Sequence, residues 1–292
     1  MSQFNYGNVS SIVFDDRKCL LGEGIFCNPI TYQIYWFDIL SKKLLTQHNS
    51  EKKSWHFKEF VSAGAFIKED IILVASEKEL FSFNLQTNEK KNIVNLEDNK
   101  KKNRSNDGCV DPWGGFWIST MGKKNEIGEG SIYRFYNRKI KKIFSKLTIP
   151  NSICFSKKKD FMYFSDTYEN LIYKQKLNPE NGWPIGNFQI FLNLKKEKIM
   201  PDGSVIDENN NVWFASWGNS ELICLSESSN IKKRIKLPIK NPTSLIFGKE
   251  NSNELFITSA AIETNQKSLK EGMTFKVKIA TNGNSKNFVN IN

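Results

Sequence analysis

The chain has 292 residues, 39% apolar and 13% aromatic, with 22 phenylalanines and 42 basic against 31 acidic side chains, a formal charge of +11. No run of about 18 apolar residues occurs, which excludes a membrane-spanning helix. The lysines are spread along the whole chain, with neither a nucleic-acid-binding motif nor a basic helix, which sets nucleic acid aside as a partner.

Short β-rich runs follow one another at 30–39, 70–76, 114–120, 160–166, 210–216 and 253–259. Most are followed by a second alternating run, as at 79–85, 131–137, 170–177 and 221–227, with turn residues between. Taking Trp36, Val74, Trp117, Tyr163, Trp213 and Phe256 as centres, the spacing is 38 to 50 residues. A period of that size with several short strands per unit is the signature of a β-propeller. Six centres predict an all-β, six-bladed β-propeller occupying 1–292 as a single domain. The segment 51–61 comes nearest to an amphipathic helix and reads instead as loop and strand.

The start of the chain lacks a basic stretch followed by a long apolar one, so no secretory leader is expected. Five cysteines, Cys19, Cys27, Cys109, Cys154 and Cys224, contain no Cys-x-x-Cys pair. They read as thiols in a reducing cytoplasm, not as a disulfide framework or a thiolate zinc site.

In a propeller the inner strand of each blade runs along the central channel, so one polar residue per blade can converge there. The stretch RSNDGCVDPWGGFWIST (104–120) sets the pattern of polar loop, turn and aromatic strand. Glu23 lies in Leu-Gly-Glu-Gly, Asn106 in Asn-Asp-Gly, Asn151 in Pro-Asn-Ser and Asp202 in Pro-Asp-Gly, at places that match in the repeat. Two carboxylates and two carboxamides form an all-oxygen set suited to a central metal site for a hard divalent ion: calcium, magnesium or manganese. Zinc without a His or Cys ligand would be atypical. Each of these residues taken singly is an ordinary turn former; their repetition is the signal. His48 and His56 lie outside any polar-loop block and read as surface residues, out of reach of a reacting centre. No Gly-x-Ser-x-Gly elbow is present.

The blocks LGEGIFCNPITYQIYWFDI, RSNDGCVDPWGGFWISTMG, GSIYRF, IPNSICFSKKKDFMYFSDT, MPDGSVIDENNNVWFASWGNSELICL and NPTSLIFGKENSNELFITSA, in this order, give the chain its likeness to a known family. It resembles the regucalcin / senescence marker protein / gluconolactonase family of sugar lactonases. The resemblance implies a six-bladed propeller with one divalent metal in its channel, and Glu23, Asn151 and Asp202 as the ligands. It further implies that Arg104 and Asn106 contact the substrate, that Asn106 lies at or near the metal, and that Asp107 completes the Arg-x-Asn-Asp-Gly element. Asp107 and Met121 are expected to join Arg104 and Asn106 as substrate-binding residues, and Met121 with the loop 122–130 to form the rim or lid of the channel. Two positions depart from the family pattern: Ser152 stands where glycine is usual, and Ile25 where proline is. The serine is expected either to narrow the pocket or to force its loop off a positive φ.

The reaction expected is opening of a sugar lactone to its acid. The metal, calcium first among the candidates with zinc, magnesium or manganese as alternatives, acts as Lewis acid and Asp202 as general base. Two rivals remain at this point: a metal-dependent esterase or phosphotriesterase of related build, and a non-catalytic calcium-binding propeller. The expected partner is a small-molecule lactone, with neither nucleic acid nor membrane, and the chain a monomer or weak homo-oligomer.

Overall fold

A computed structural model describes residues 10–249, 251–264, 268–284 and 287–291. Their strands form six four-stranded antiparallel sheets, the blades of a propeller. The inner strands are Gly22–Cys27, Val61–Lys68, Asn103–Val110, Pro150–Phe155, Met200–Ile206 and Asn241–Phe247. The first five blades are consecutive in sequence. In the sixth, Ser11–Asp15 supplies the outermost strand by pairing with Thr274–Lys278, so the start of the chain closes the ring.

All six sequence centres fall on the second strand of a blade, and each is at least 93% buried. These strands are sandwiched on both faces, which is why they read as continuous apolar runs instead of alternating ones. The core lies between blades: Phe26 and Phe37 pack on Phe66, Val74 and Phe81 across the first seam, and Trp117 and Ile132 pack on Phe155 and Phe164 across the third.

The outer strands take the charge. Glu51–His56, Lys90–Asn95 and Lys139–Leu147 are mostly exposed and rich in lysine, which blunts the sheet edges against pairing with other chains. This placement accounts for the dispersed positive charge. The segment 51–61 is a strand followed by a loop, as its sequence suggests, and His48 and His56 are both exposed on that blade's outer edge. None of the five cysteines is in a disulfide. No helix among the described residues is long and apolar enough to cross a membrane.

Every inner strand breaks its pairing register at a bulge: after Glu23, Val61, Ser105, Asn151, Pro201 and Pro242. A bulge re-aims side chains that a regular strand would point into the sheet. Six bulges at one level of a ring thus bring six short segments to a common hub.

Candidate functional site

In and just before these bulges stand Glu23, Arg104, Asn106, Asp107, Asn151 and Asp202, each at least 91% buried. They do not occupy matching positions, contrary to the sequence expectation. Glu23 and Asn151 are the last paired residues before the bulge, opposite Phe37 and Ser165. Asn106 and Asp202 are the first residues inside it, just beyond the pairs Ser105–Thr120 and Pro201–Ser216. The residues that follow Glu23 and Asn151, Gly24 (φ 52°) and Ser152 (φ 57°), are left-handed. Ser152 therefore keeps the positive φ that a glycine would take and does not force its loop off it.

Side-chain contacts tie the set together. Asn151 Nδ2 donates to Asp202 Oδ1 at 2.5 Å. The carboxyl groups of Glu23 and Asp202 lie close enough for each to act on the other's proton affinity. Glu23 Oε2 also accepts from Gly24 N at 3.0 Å. Burial first, and then the negative charge of neighbouring carboxylates, push Glu23 up to about 8 and hold Asp202 well above the usual carboxylate range. Asp107 is raised to about 6, chiefly by burial.

Arg104 stands beside this acidic pair, opposite Met121 across the strand pair. Its Nη1 donates to Ser105 O at 2.9 Å and to Asn106 Oδ1 at 2.8 Å. Burial lowers it to about 10 while Glu23 and Asp202 pull the other way, so it stays cationic at neutral pH. Asn106 Nδ2 donates to Pro150 O at 3.1 Å. Asn106 is thus fixed at both ends, with one lone pair of its amide oxygen left over. Asp107 Oδ2 accepts from Ile153 N at 2.8 Å, which binds the third blade to the fourth.

Asp107 also faces the other end of the channel, where a cavity of about 370 Å³ opens between Cys27, Cys109, Cys154, Ser204 and Ser244. Glu23, Asn151 and Asp202 do not line that cavity. The acidic pair sits above it, on the side of Arg104 and Met121, and the loop 122–130 lies at the same end as these two. Its Ile127 is exposed to solvent, at 72%.

Several positioning hydroxyls were not singled out from the sequence. Ser119 Oγ donates to Pro150 O (2.9 Å), and Thr167 Oγ1 to Pro201 O (2.6 Å). Ser62 Oγ donates to Ser105 Oγ (2.7 Å). The available signal was a Ser or Thr recurring near the end of five of the six second strands, as in Trp-Ile-Ser-Thr, Phe-Ser-Asp-Thr and Phe-Ala-Ser-Trp.

The donors fit a hard divalent ion. Two buried carboxyls act on each other, and among the described residues neither Lys nor Arg hydrogen-bonds to them; the remaining donors are amide oxygens. Among the described residues, no three of His, Cys, Asp and Glu gather into a metal cage of their own, so a site here depends on Asn151 and Asn106. Opposing carboxylates relieved by a cation, with amides completing the shell, suit oxygen-seeking ions better than zinc.

A propeller of six blades with an acid-and-amide hub is the class of protein that these features define. The chain belongs to the SMP-30/Gluconolactonase/LRE-like family, whose model matches residues 21–261. It is 32% identical over 245 residues, 82% of each chain, to a protein of Rhizobium meliloti (strain 1021) named "Putative sugar lactone lactonase". It is 25% identical, over 84% of each chain, to the 6-deoxy-6-sulfogluconolactonase of Pseudomonas putida. The crystal structure of a calcium-binding protein, regucalcin, from Agrobacterium tumefaciens superimposes with a TM-score of 0.93, at 32% identity and 99% coverage of both chains.

Proposed function

We propose that this protein is a divalent-metal-dependent hydrolase that opens a sugar lactone to its hydroxy acid. The observation that carries the reading is the meeting of Glu23, Asn151 and Asp202, 128 and 51 residues apart in sequence, at one buried point beside Arg104. The lactonase names among its relatives supply the substrate class, and the calcium-binding neighbour supports a divalent ion.

Glu23, Asp202 and the amide oxygen of Asn151 would hold the cation, with Asn106 beside it. When bound, the ion supplies positive charge that polarises the lactone carbonyl. Asp202 takes a proton from water as the water oxygen bonds to the carbonyl carbon. The ring C–O bond then breaks, and the proton passes to the departing ring oxygen, leaving a hydroxy acid. Arg104 is already oriented by Asn106 and Ser105, and it turns its remaining N–H groups to the substrate hydroxyls. Met121 is its partner across the strand pair, and Asp107 holds the floor by gripping the Ile153 amide.

The test is a proton-release assay on chelator-treated protein, with and without added divalent ions, across sugar lactones, apolar esters and phosphotriesters. Turnover of hydroxyl-rich lactones only, restored by the ion, supports the reading. Preference for apolar esters or phosphotriesters would move it to the esterase class, and cation uptake without any turnover to a binding propeller. Arg104→Ala is expected to raise KM for the lactone by about 10–100-fold, the loss of a hydrogen bond to a charged donor. A fall in kcat alone would instead place Arg104 in the transition state.

A further inference from the structure

We propose that Ser152 is a positioning residue for Asp202, acting through its hydroxyl on the Asp202 main chain, with Ser165 holding that hydroxyl in place. The inference rests on the reading of the hub as a cation and lactone site, and assigns work within it to residues outside the donor set.

The argument starts from an internal comparison. Gly24 and Ser152 occupy the same position in the first and fourth blades, directly after a donor residue, and both are left-handed. At Gly24 a Cβ would lie 2.0 Å from the carbonyl oxygen of Ser62, the bulged residue of the next blade. Only glycine fits there. At Ser152 the chain carries a side chain in a conformation that L residues adopt at a cost. The carbonyl it meets in the next blade is that of Asp202, and Ser152 Oγ donates a hydrogen bond to it. What is a steric wall at the first seam is a hydrogen bond at the fourth.

That hydroxyl is fully buried at 1% exposure and is itself gripped. Ser165 Oγ lies 2.9 Å from Ser152 Oγ and 3.3 Å from Pro201 O. Thr167 Oγ1 donates to Pro201 O at 2.6 Å. Two successive carbonyls of the fifth blade, those of Pro201 and Asp202, are thereby fastened to hydroxyls of the fourth. Ser204 Oγ returns a bond to Ser152 O at 2.7 Å, so the strap runs both ways.

The strap has a task. The Asp202 carboxyl is one of the groups that would hold the cation. Asn151 holds the side chain from one side at 2.5 Å, but a side chain follows its backbone. Fixing the Asp202 carbonyl keeps the carboxylate where a cation and a water both need it. Outer partners of this kind orient metal ligands, and their loss typically weakens metal affinity or activity 10–100-fold.

The test uses the full chain, freed of metal by chelation, with calcium chloride as the titrant in calorimetry, alongside Tm, kcat and KM. Ser152→Ala and Ser152→Gly both remove the hydroxyl, and the glycine alone relieves the positive φ. Both are expected to weaken calcium binding about 10–100-fold and to lower kcat with little change in KM. The metal-free Tm of Ser152→Gly should exceed that of Ser152→Ala. Ser165→Ala is expected to move affinity in the same direction, and Ser165→Thr, which keeps a hydroxyl, to restore it. Calcium affinity of Ser152→Gly within about twofold of the wild type would overturn the positioning role while leaving the site's function standing. A wild-type chain that takes up no cation and turns over no lactone would overturn both.

Discussion

Asp202→Asn is expected to lower lactone turnover by roughly 10²–10⁴-fold, the usual weight of a positioned general base, and to weaken cation binding with it. The fold should survive. Asp202 is buried against Glu23, and the raised proton affinity of both means that their ionisation opposes folding in the metal-free chain. Removing one acid relieves that opposition, so the metal-free Tm at pH 8 should stay level or rise. Thermal melting with circular dichroism separates the two effects: lost turnover with an unchanged or higher Tm marks chemistry, whereas a collapsed Tm marks folding. Undiminished hydrolysis of a sugar lactone by Asp202→Asn would remove this residue from the mechanism.

Asp111→Ala is expected to give the largest loss of stability, about 3–5 kcal/mol, the cost of leaving a buried charge without its partner. Asp111 and Arg134 are both fully buried, with Arg134 Nη2 2.7 Å from Asp111 Oδ2 and Nε donating to the same oxygen at 2.8 Å. Asp111 also accepts from Trp117 Nε1 at 2.8 Å and, through Oδ1, from the amides of Trp113 and Gly115. The guanidinium lies over the rings of Trp117, Tyr136 and Trp183, and donates to Asn181 O. One substitution therefore strands a buried cation and three N–H donors. A chain of this size should lose on the order of 10 °C in Tm. Replacing Asp111 and Arg134 together by apolar residues should recover much of the loss, because the pair's own net contribution is small beside the cost of breaking it. A loss in Asp111→Ala below about 1 kcal/mol would mean that water reaches the pair.

The blades were legible because their second strands are buried on both faces, and Trp36, Trp117 and Trp213 announce them as apolar, aromatic runs at a steady spacing. The donor residues were legible as polar groups in turn-like tripeptides. Their geometry was not. Whether Asn151 or Ser152 enters the hub depends on a bulge and a positive φ, which arise from pairing between strands and leave no composition signal. The Ser165 and Thr167 hydroxyls look like ordinary strand residues until the neighbouring blade is in place. Arg134 sits in an alternating run that reads as half exposed, and its cage is completed by Asn181 and Trp183 from the next blade. The cavity at the far end of the channel is likewise a product of six strands meeting.

The central claim is that Glu23, Asn151 and Asp202 hold one divalent ion, and a calorimetric titration of calcium chloride into the chelated chain tests it most directly. Both carboxyls hold protons more tightly in the folded chain than in the unfolded one, where Glu23 would titrate near 4.5. Metal-free stability is therefore lost as pH rises from that value toward about 8, and a cation must displace protons to bind. One ion per chain, bound more tightly at pH 8 than at pH 6 with release of protons, and lost in Glu23→Gln and Asp202→Asn, is the expected result. Binding that is absent, or unchanged by both substitutions, would contradict it.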